Sequence, residues 1–204
     1  MGILPGFTGT LVHDSLALYN AYTGCAHQLC GAHLIGELTA AEQDHPGRHW
    51  PAQVRSALGE LARHAGRMYS GQCKRIEPGA VGPVGAVPSR CGGRFGPAPR
   101  MEGAKQSKAR NLLERLQDRS GQVLAFTERP EHVPFTNNLA ERGLRPLKTQ
   151  VKISGCHQSE QGAVAWLGVR SYIDSARKRG LSTFEALRKA FTGDLWMPPI
   201  PVSA

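Results

Sequence analysis

The 204 residues carry 25 Lys plus Arg against 16 Asp plus Glu, a formal charge of +9, and 40% of them are hydrophobic. That length allows one domain or two small ones, and the basic surplus suits a polyanionic partner such as nucleic acid. No stretch has the run of apolar residues a bilayer crossing needs, and the start, MGILPGFTGT, lacks the regions of a signal peptide, so a cytoplasmic protein is expected. The five cysteines, Cys25, Cys30, Cys73, Cys91 and Cys156, are an odd number without an export signal, so reduced thiols are expected.

Residues 9–14, GTLVHD, read as a short buried strand that delivers Asp14 at its C-terminal end. Strand ends are where α/β sheets place their chemistry, although an aspartate there can simply cap the following turn. Next come Cys25, His27, Cys30 and His33 in GCAHQLCGAHLIGEL. Read as helical, Cys30 and His33 share a face, with Glu37 one turn further along. Cys and neutral His are zinc ligands, but no second pair of suitable spacing exists, so packing or hydrogen bonding is favoured for Cys30 and His33.

That helix is expected to run through Leu34, Leu38 and Ala41 and to stop near His45, Pro46 and Gly47. Residues 51–69 form an amphipathic helix, with Val54, Leu58, Leu61, Ala65 and Met68 at spacings of three or four and Pro51 in its first turn. Between Gly71 and Gly103 stand eight glycines and five prolines, a composition too poor in apolar groups to order itself, so a basic linker is expected. Helical register returns in SKARNLLERLQDRSGQVLAF, with Ser107 as N-cap. TERPEHVPF is then an extended connection.

The segment PFTNNLAERGLRPLKTQVKISG follows, a helix opening near Asn137 or Asn138 with Glu141, Arg145 and Lys148 on one face. A carboxylate among Arg142, Arg145, Lys148 and Lys152 can hold a divalent metal while the cations hold a phosphate backbone; an ordinary surface ion pair is the plainer alternative. Pro146 is expected to shorten or kink this helix. A longer helix within SEQGAVAWLGVRSYIDSARKRG, closed by Gly180, and a shorter one, TFEALRKAF, complete the chain before the loose, Pro-rich WMPPIPVSA.

The motif around Asn137, Asn138, Glu141 and Arg142, followed by Lys152, Ser154 and Gly155, resembles the C-terminal half of the catalytic region of bacterial insertion-sequence transposases of the family numbered sixty-six. The likeness extends through VRSYIDSARKRGLSTFEALRKAFTG and back through SKARNLLERL to GTLVHDSLALYNAY with its CGAH. The resemblance implies an α/β, partial RNase H-like fold, predominantly helical, and a DDE site in which three carboxylates hold two divalent metals, Mg2+ or Mn2+. By motif match Asp14 is the second carboxylate and Glu141 the third. Asn137, Asn138, Arg142, Arg145, Lys148 and Lys152 would contact DNA, and Cys30 with His33 matches the family's Cys-x-x-His element.

On this reading residues 1–45 form the strand and helix of the core that carry the second Asp. Residues 46–107 are a helical insertion with the Gly/Pro-rich linker, residues 108–193 the helical part that carries the Glu, and residues 194–204 a loose tail. The partners implied are element-end DNA and a homo-oligomer or an assembly with intact transposase. The family's first carboxylate lies on an earlier strand, and residues 1–13 hold no strand-ending acid. Thr136 and Gly143 stand where the family commonly has acidic residues. The expectation is therefore a truncated transposase, inactive alone, with its sheet reduced to one strand and its helix faces uncovered. The alternatives are a non-catalytic basic DNA-binding remnant that interferes with an oligomer, and a small zinc-binding interaction domain on Cys25, Cys30 and His33.

Overall fold

A computed structural model describes residues 6–70, 106–155 and 157–197. The Gly/Pro-rich stretch with Cys73 and Cys91, Cys156, and all but Trp196 and Met197 of the final WMPPIPVSA lie outside the described residues. The chain divides into two compact units, Met1–Asn137 and Asn138–Ala204.

The first unit holds a parallel two-stranded sheet, β1 (Thr10–His13) and β2 (Ala26–Leu29), joined through a short 3-10 helix, Ala17–Ala21. Thr10 pairs with Ala26, Leu11 with His27, Val12 with Gln28 and His13 with Leu29. The expectation of a single strand, with Cys30 on the helix that follows, is corrected here: residues 26–29 form a second strand and Cys30 is the N-cap of the helix. AHQL has one strongly apolar residue and no period-2 pattern, so its strand state comes from pairing with β1 and from tertiary bonds made by its polar side chains. Chief among these is Gln28, fully buried, which accepts from Phe126 N at 2.7 Å and donates to the carbonyls of Leu29 at 2.6 Å and Val123 at 3.2 Å.

Four helices complete this unit: α1 (Gly31–Asp44), α2 (Trp50–Tyr69), α3 (Lys108–Asp118) and α4 (Ser120–Glu128). Pro51 lies in the first turn of α2, where its missing N–H leaves no helical bond unmade. Ser107 caps α3 by accepting from Arg110 N at 3.2 Å, as its residue type predicts. The continuous helix expected from SKARNLLERLQDRSGQVLAF is interrupted at Arg119, φ −114° and ψ 26°, which lets α4 turn onto β2. Leu29, Leu34, Leu38, Val54, Leu58, Leu61, Val123 and Phe126 form a continuous buried core. Across its edge Arg55 of α2 bonds Glu42 of α1 at 2.7 Å, and Arg115 of α3 pairs with Glu37 of α1.

The second unit consists of α5 (Asn138–Ser154), α6 (Glu160–Lys178) and α7 (Thr183–Phe191). Pro146 sits inside α5 without ending it, so the helix is not shortened at that point. No residue of α5 is buried, so the carbonyl that loses its partner to the proline ring stays open to water. Ser159 and Ser182 cap α6 and α7, accepting from Gly162 N and Glu185 N at 3.1 Å each. Helices α6 and α7 pack through Ala176 and Ala186, both fully buried, and Tyr172 Oη donates to Ala186 O at 3.0 Å. Leu139, Leu144, Ile153, Val164, Phe184 and Phe191 of this unit are exposed. No helix among the described residues is long and apolar enough to cross a membrane.

Candidate active site

In the first unit β1 ends at His13, and Asp14 follows it, exposed, at the C-terminal end of the strand. Its Oδ1 accepts from Leu16 N at 3.3 Å, and no hydrogen bond among the described residues engages Oδ2. An oxygen left to solvent at a strand terminus is a suitable hard ligand for a divalent cation. Ser15 between these residues has φ 71°, a left-handed conformation unusual for a residue with a Cβ.

His13 is buried, 2% exposed, and its ring faces three groups. Ser15 N donates to its Nδ1 at 3.2 Å, its Nε2 lies 3.1 Å from His27 Nδ1, and the Tyr19 ring stands 4.7 Å away. His27 Nε2 in turn donates to Tyr22 O at 2.8 Å. Burial first, then the neighbouring His27 and the Arg119 guanidinium, push the His13 imidazole down to about 4, opposed only by the Asp14 carboxylate. The ring is neutral at physiological pH.

Cys30 links this strand to the segment that leads into α5. It stands as the N-cap of α1, buried, and its N–H donates to His13 O at 2.8 Å. Its Sγ accepts from Asn137 N at 3.4 Å, and the next amide, Gly31 N, donates to Phe135 O at 2.8 Å. The Phe135 ring lies over Gly31 so closely that a Cβ there would overlap it. One dipeptide, Cys30–Gly31, therefore bonds both the strand before Asp14 and the peptide that enters the Glu141 helix. His33, in the first turn of α1, is exposed. Cys25 Sγ reaches Tyr22 O at 3.4 Å and His27 Nε2 at 3.9 Å. Among the described residues no three His, Cys, Asp or Glu side chains gather as a metal site.

In the second unit α5 carries Glu141 in its first turn, half-buried, with Asn138, Arg142, Arg145, Lys148 and Lys152 exposed. The unbroken helix puts Glu141, Arg145, Lys148 and Lys152 in one row. Asn137 lies at the end of the first unit, its Oδ1 buried without a hydrogen-bond partner among the described residues. The sequence-predicted residues thus stand in two groups, Asp14, Cys30, His33 and Asn137 in the first unit and Asn138, Glu141 and the four cations in the second. Sequence reasoning passed over His13, Gln28, Gly31 and Phe135, and named His27 only within the Cys/His run. Only the polar character of an otherwise buried-looking strand at His13 hinted at a role.

Comparison with known proteins bears on both groups. The chain is 37% identical over 76 residues to the uncharacterized protein y4jO of Sinorhizobium fredii, an alignment covering 37% of this chain and 23% of that protein. The matched stretch is thus less than a quarter of that relative's length. No solved structure matches the chain. The pattern of the Transposase IS66 family matches residues 1–165, a span that takes in β1 with Asp14, the Cys30 junction and the whole of α5 with Glu141. The chain belongs to the IS66 family of transposases.

Proposed function

We propose that this chain is the metal-binding and strand-holding part of a DDE-type transposase with an RNase H-like core. Asp14 and Glu141 act as two carboxylate ligands, and Arg142, Arg145, Lys148 and Lys152, with Asn137 and Asn138, hold the DNA of the element ends. The observation that carries this reading is the family match across both carboxylates, joined to the position of Asp14 at an open strand end with one oxygen uncommitted. Mg2+ or Mn2+ bound there would supply Lewis acidity to an attacking water or 3′-hydroxyl and to the leaving oxygen. The protein's own part is to fix the ligand oxygens and to neutralise phosphates with the α5 cations, without a covalent protein nucleophile.

Two carboxylates under-compensate two divalent cations, so the complete centre calls for a third acidic ligand besides Asp14 and Glu141. We infer that these 204 residues bind DNA but do not cut it unaided. Incubating the purified chain with element-end DNA and Mg2+ or Mn2+ tests this. Binding without cleavage supports the reading; cleavage abolished by Glu141→Gln would show that the centre is already complete within these residues. Salt-dependent DNA binding that needs no metal and ignores Asp14→Asn would favour a purely DNA-holding role.

A further inference from the structure

The two histidines beside Asp14 form a chain with a fixed direction. Ser15 N–H can only donate, so His13 Nδ1, 3.2 Å away, is its unprotonated acceptor. The proton of this neutral ring then sits on Nε2 and points at His27 Nδ1, 3.1 Å away. His27 Nδ1 accepts it, which leaves the His27 proton on Nε2, facing the Tyr22 carbonyl at 2.8 Å. A carbonyl can only accept. Both ends of the chain are therefore backbone groups with a single role, and together they admit one pair of tautomers.

The groups tied in this way bracket the connection from β1 to β2. Ser15 opens it and Tyr22 nears its end, while Arg119 from the α3–α4 junction bonds Asn20 between them at 3.2 Å. Ser15, the non-glycine residue with positive φ among the described residues, also lies here. Ser15 at φ 71° holds a left-handed conformation that persists only where its surroundings over-determine it. The bond from its amide to His13 does so, and the same turn lets Leu16 N hold one oxygen of Asp14 and leave the other uncommitted. A simple staple between two strands would require no strained residue next to the carboxylate.

We propose that His13 and His27 are positioning residues for Asp14: a directed hydrogen-bond chain through two neutral imidazoles that locks the Ser15 turn and presets the carboxylate for a divalent cation. This rests on the reading of Asp14 as a metal ligand. Presetting the turn removes the cost of ordering it when the cation arrives.

The test uses the full 204-residue chain, 15N-labelled and without DNA. Long-range 1H–15N correlation should find His13 and His27 both protonated at Nε2. The Ser15 amide should exchange slowly, about tenfold faster in His13→Phe, and near the wild-type rate in His13→Asn, whose Oδ1 replaces Nδ1 as acceptor. Mn2+ should broaden the Asp14 amide, with about tenfold more Mn2+ needed in His13→Phe and a near-normal amount in His13→Asn. Nδ1-protonated His13, or an unprotected Ser15 amide in the wild-type chain, overturns the relay while leaving the metal reading of Asp14 untouched. The tautomer measurement needs no variant, so it stands even if His13→Phe fails to fold. An intact relay with no Mn2+ response at Asp14 overturns the metal reading, and with it the positioning role, while the hydrogen-bond chain itself remains.

Discussion

The far end of the Phe135 ring presses on Gly31, and the two are also joined through the backbone, Gly31 N donating to Phe135 O at 2.8 Å. The ring makes an edge contact with Phe126, centroids 4.8 Å apart, so it cannot withdraw without disturbing the core. Gly31→Ala is expected to destabilise the first unit by about 1–3 kcal/mol through overpacking. Urea unfolding checks it, and Phe135→Leu in the Gly31→Ala background should recover part of the loss.

A second prediction concerns Gln28. Replacing it with Met keeps the volume but leaves Phe126 N and Val123 O buried without their partner. The expected loss is about 2–4 kcal/mol, far above that of an ordinary surface substitution. A loss below about 0.5 kcal/mol in chemical denaturation would mean that water or a shifted backbone satisfies both groups.

The buried His13 predicts a sloping acid limb. Its folded-state pKa, about 4, lies below the ordinary 6.5, so the unfolded chain takes up a proton that the folded chain refuses between those values. The stability it contributes is complete above pH 6.5 and is lost as pH falls toward 4, at up to about 1.4 kcal/mol per pH unit. The rings and charges facing it are His27, Tyr19, Arg119 and Asp14. In His13→Phe the slope over this window should flatten when unfolding free energies are compared at a series of pH values.

How much of this could be read from the chain itself divides along physical lines. Helices α2, α6 and α7 announce themselves through apolar spacing and caps, and their bounds fall within a residue or two of expectation. Strand β2 does not, because AHQL is held by Gln28 bonds to residues 95 and 98 positions away. The break at Arg119 is followed at once by Ser120 and Gly121, a turn signal that the continuous helical register was read across, and α4 then docks on β2. Pro146 does not end its helix, in which no residue is buried. Asp14 and Glu141 are candidates by motif match, and the histidine pair beside Asp14 exists only once two strands lie parallel in a given register.

The cations of α5 give a quantitative expectation for DNA binding. If Lys148 and Lys152 each neutralise a phosphate, the Lys148→Gln, Lys152→Gln double variant should reduce the slope of log affinity against log salt by about 1.8 on duplex DNA. Fluorescence anisotropy across a salt series measures it. An unchanged slope would remove these two lysines from the interface.

The central claim is the proposal that Asp14 and Glu141 are carboxylate ligands for divalent cations. Mn2+ titration of the 15N-labelled chain, alone and with DNA, tests it directly by paramagnetic broadening. We predict broadening of the amides around Asp14 and of those around Glu141, lost at Asp14 in Asp14→Asn and lost at Glu141 in Glu141→Gln. Broadening at neither residue, or broadening that survives replacement of the carboxylate beside it, would contradict the claim.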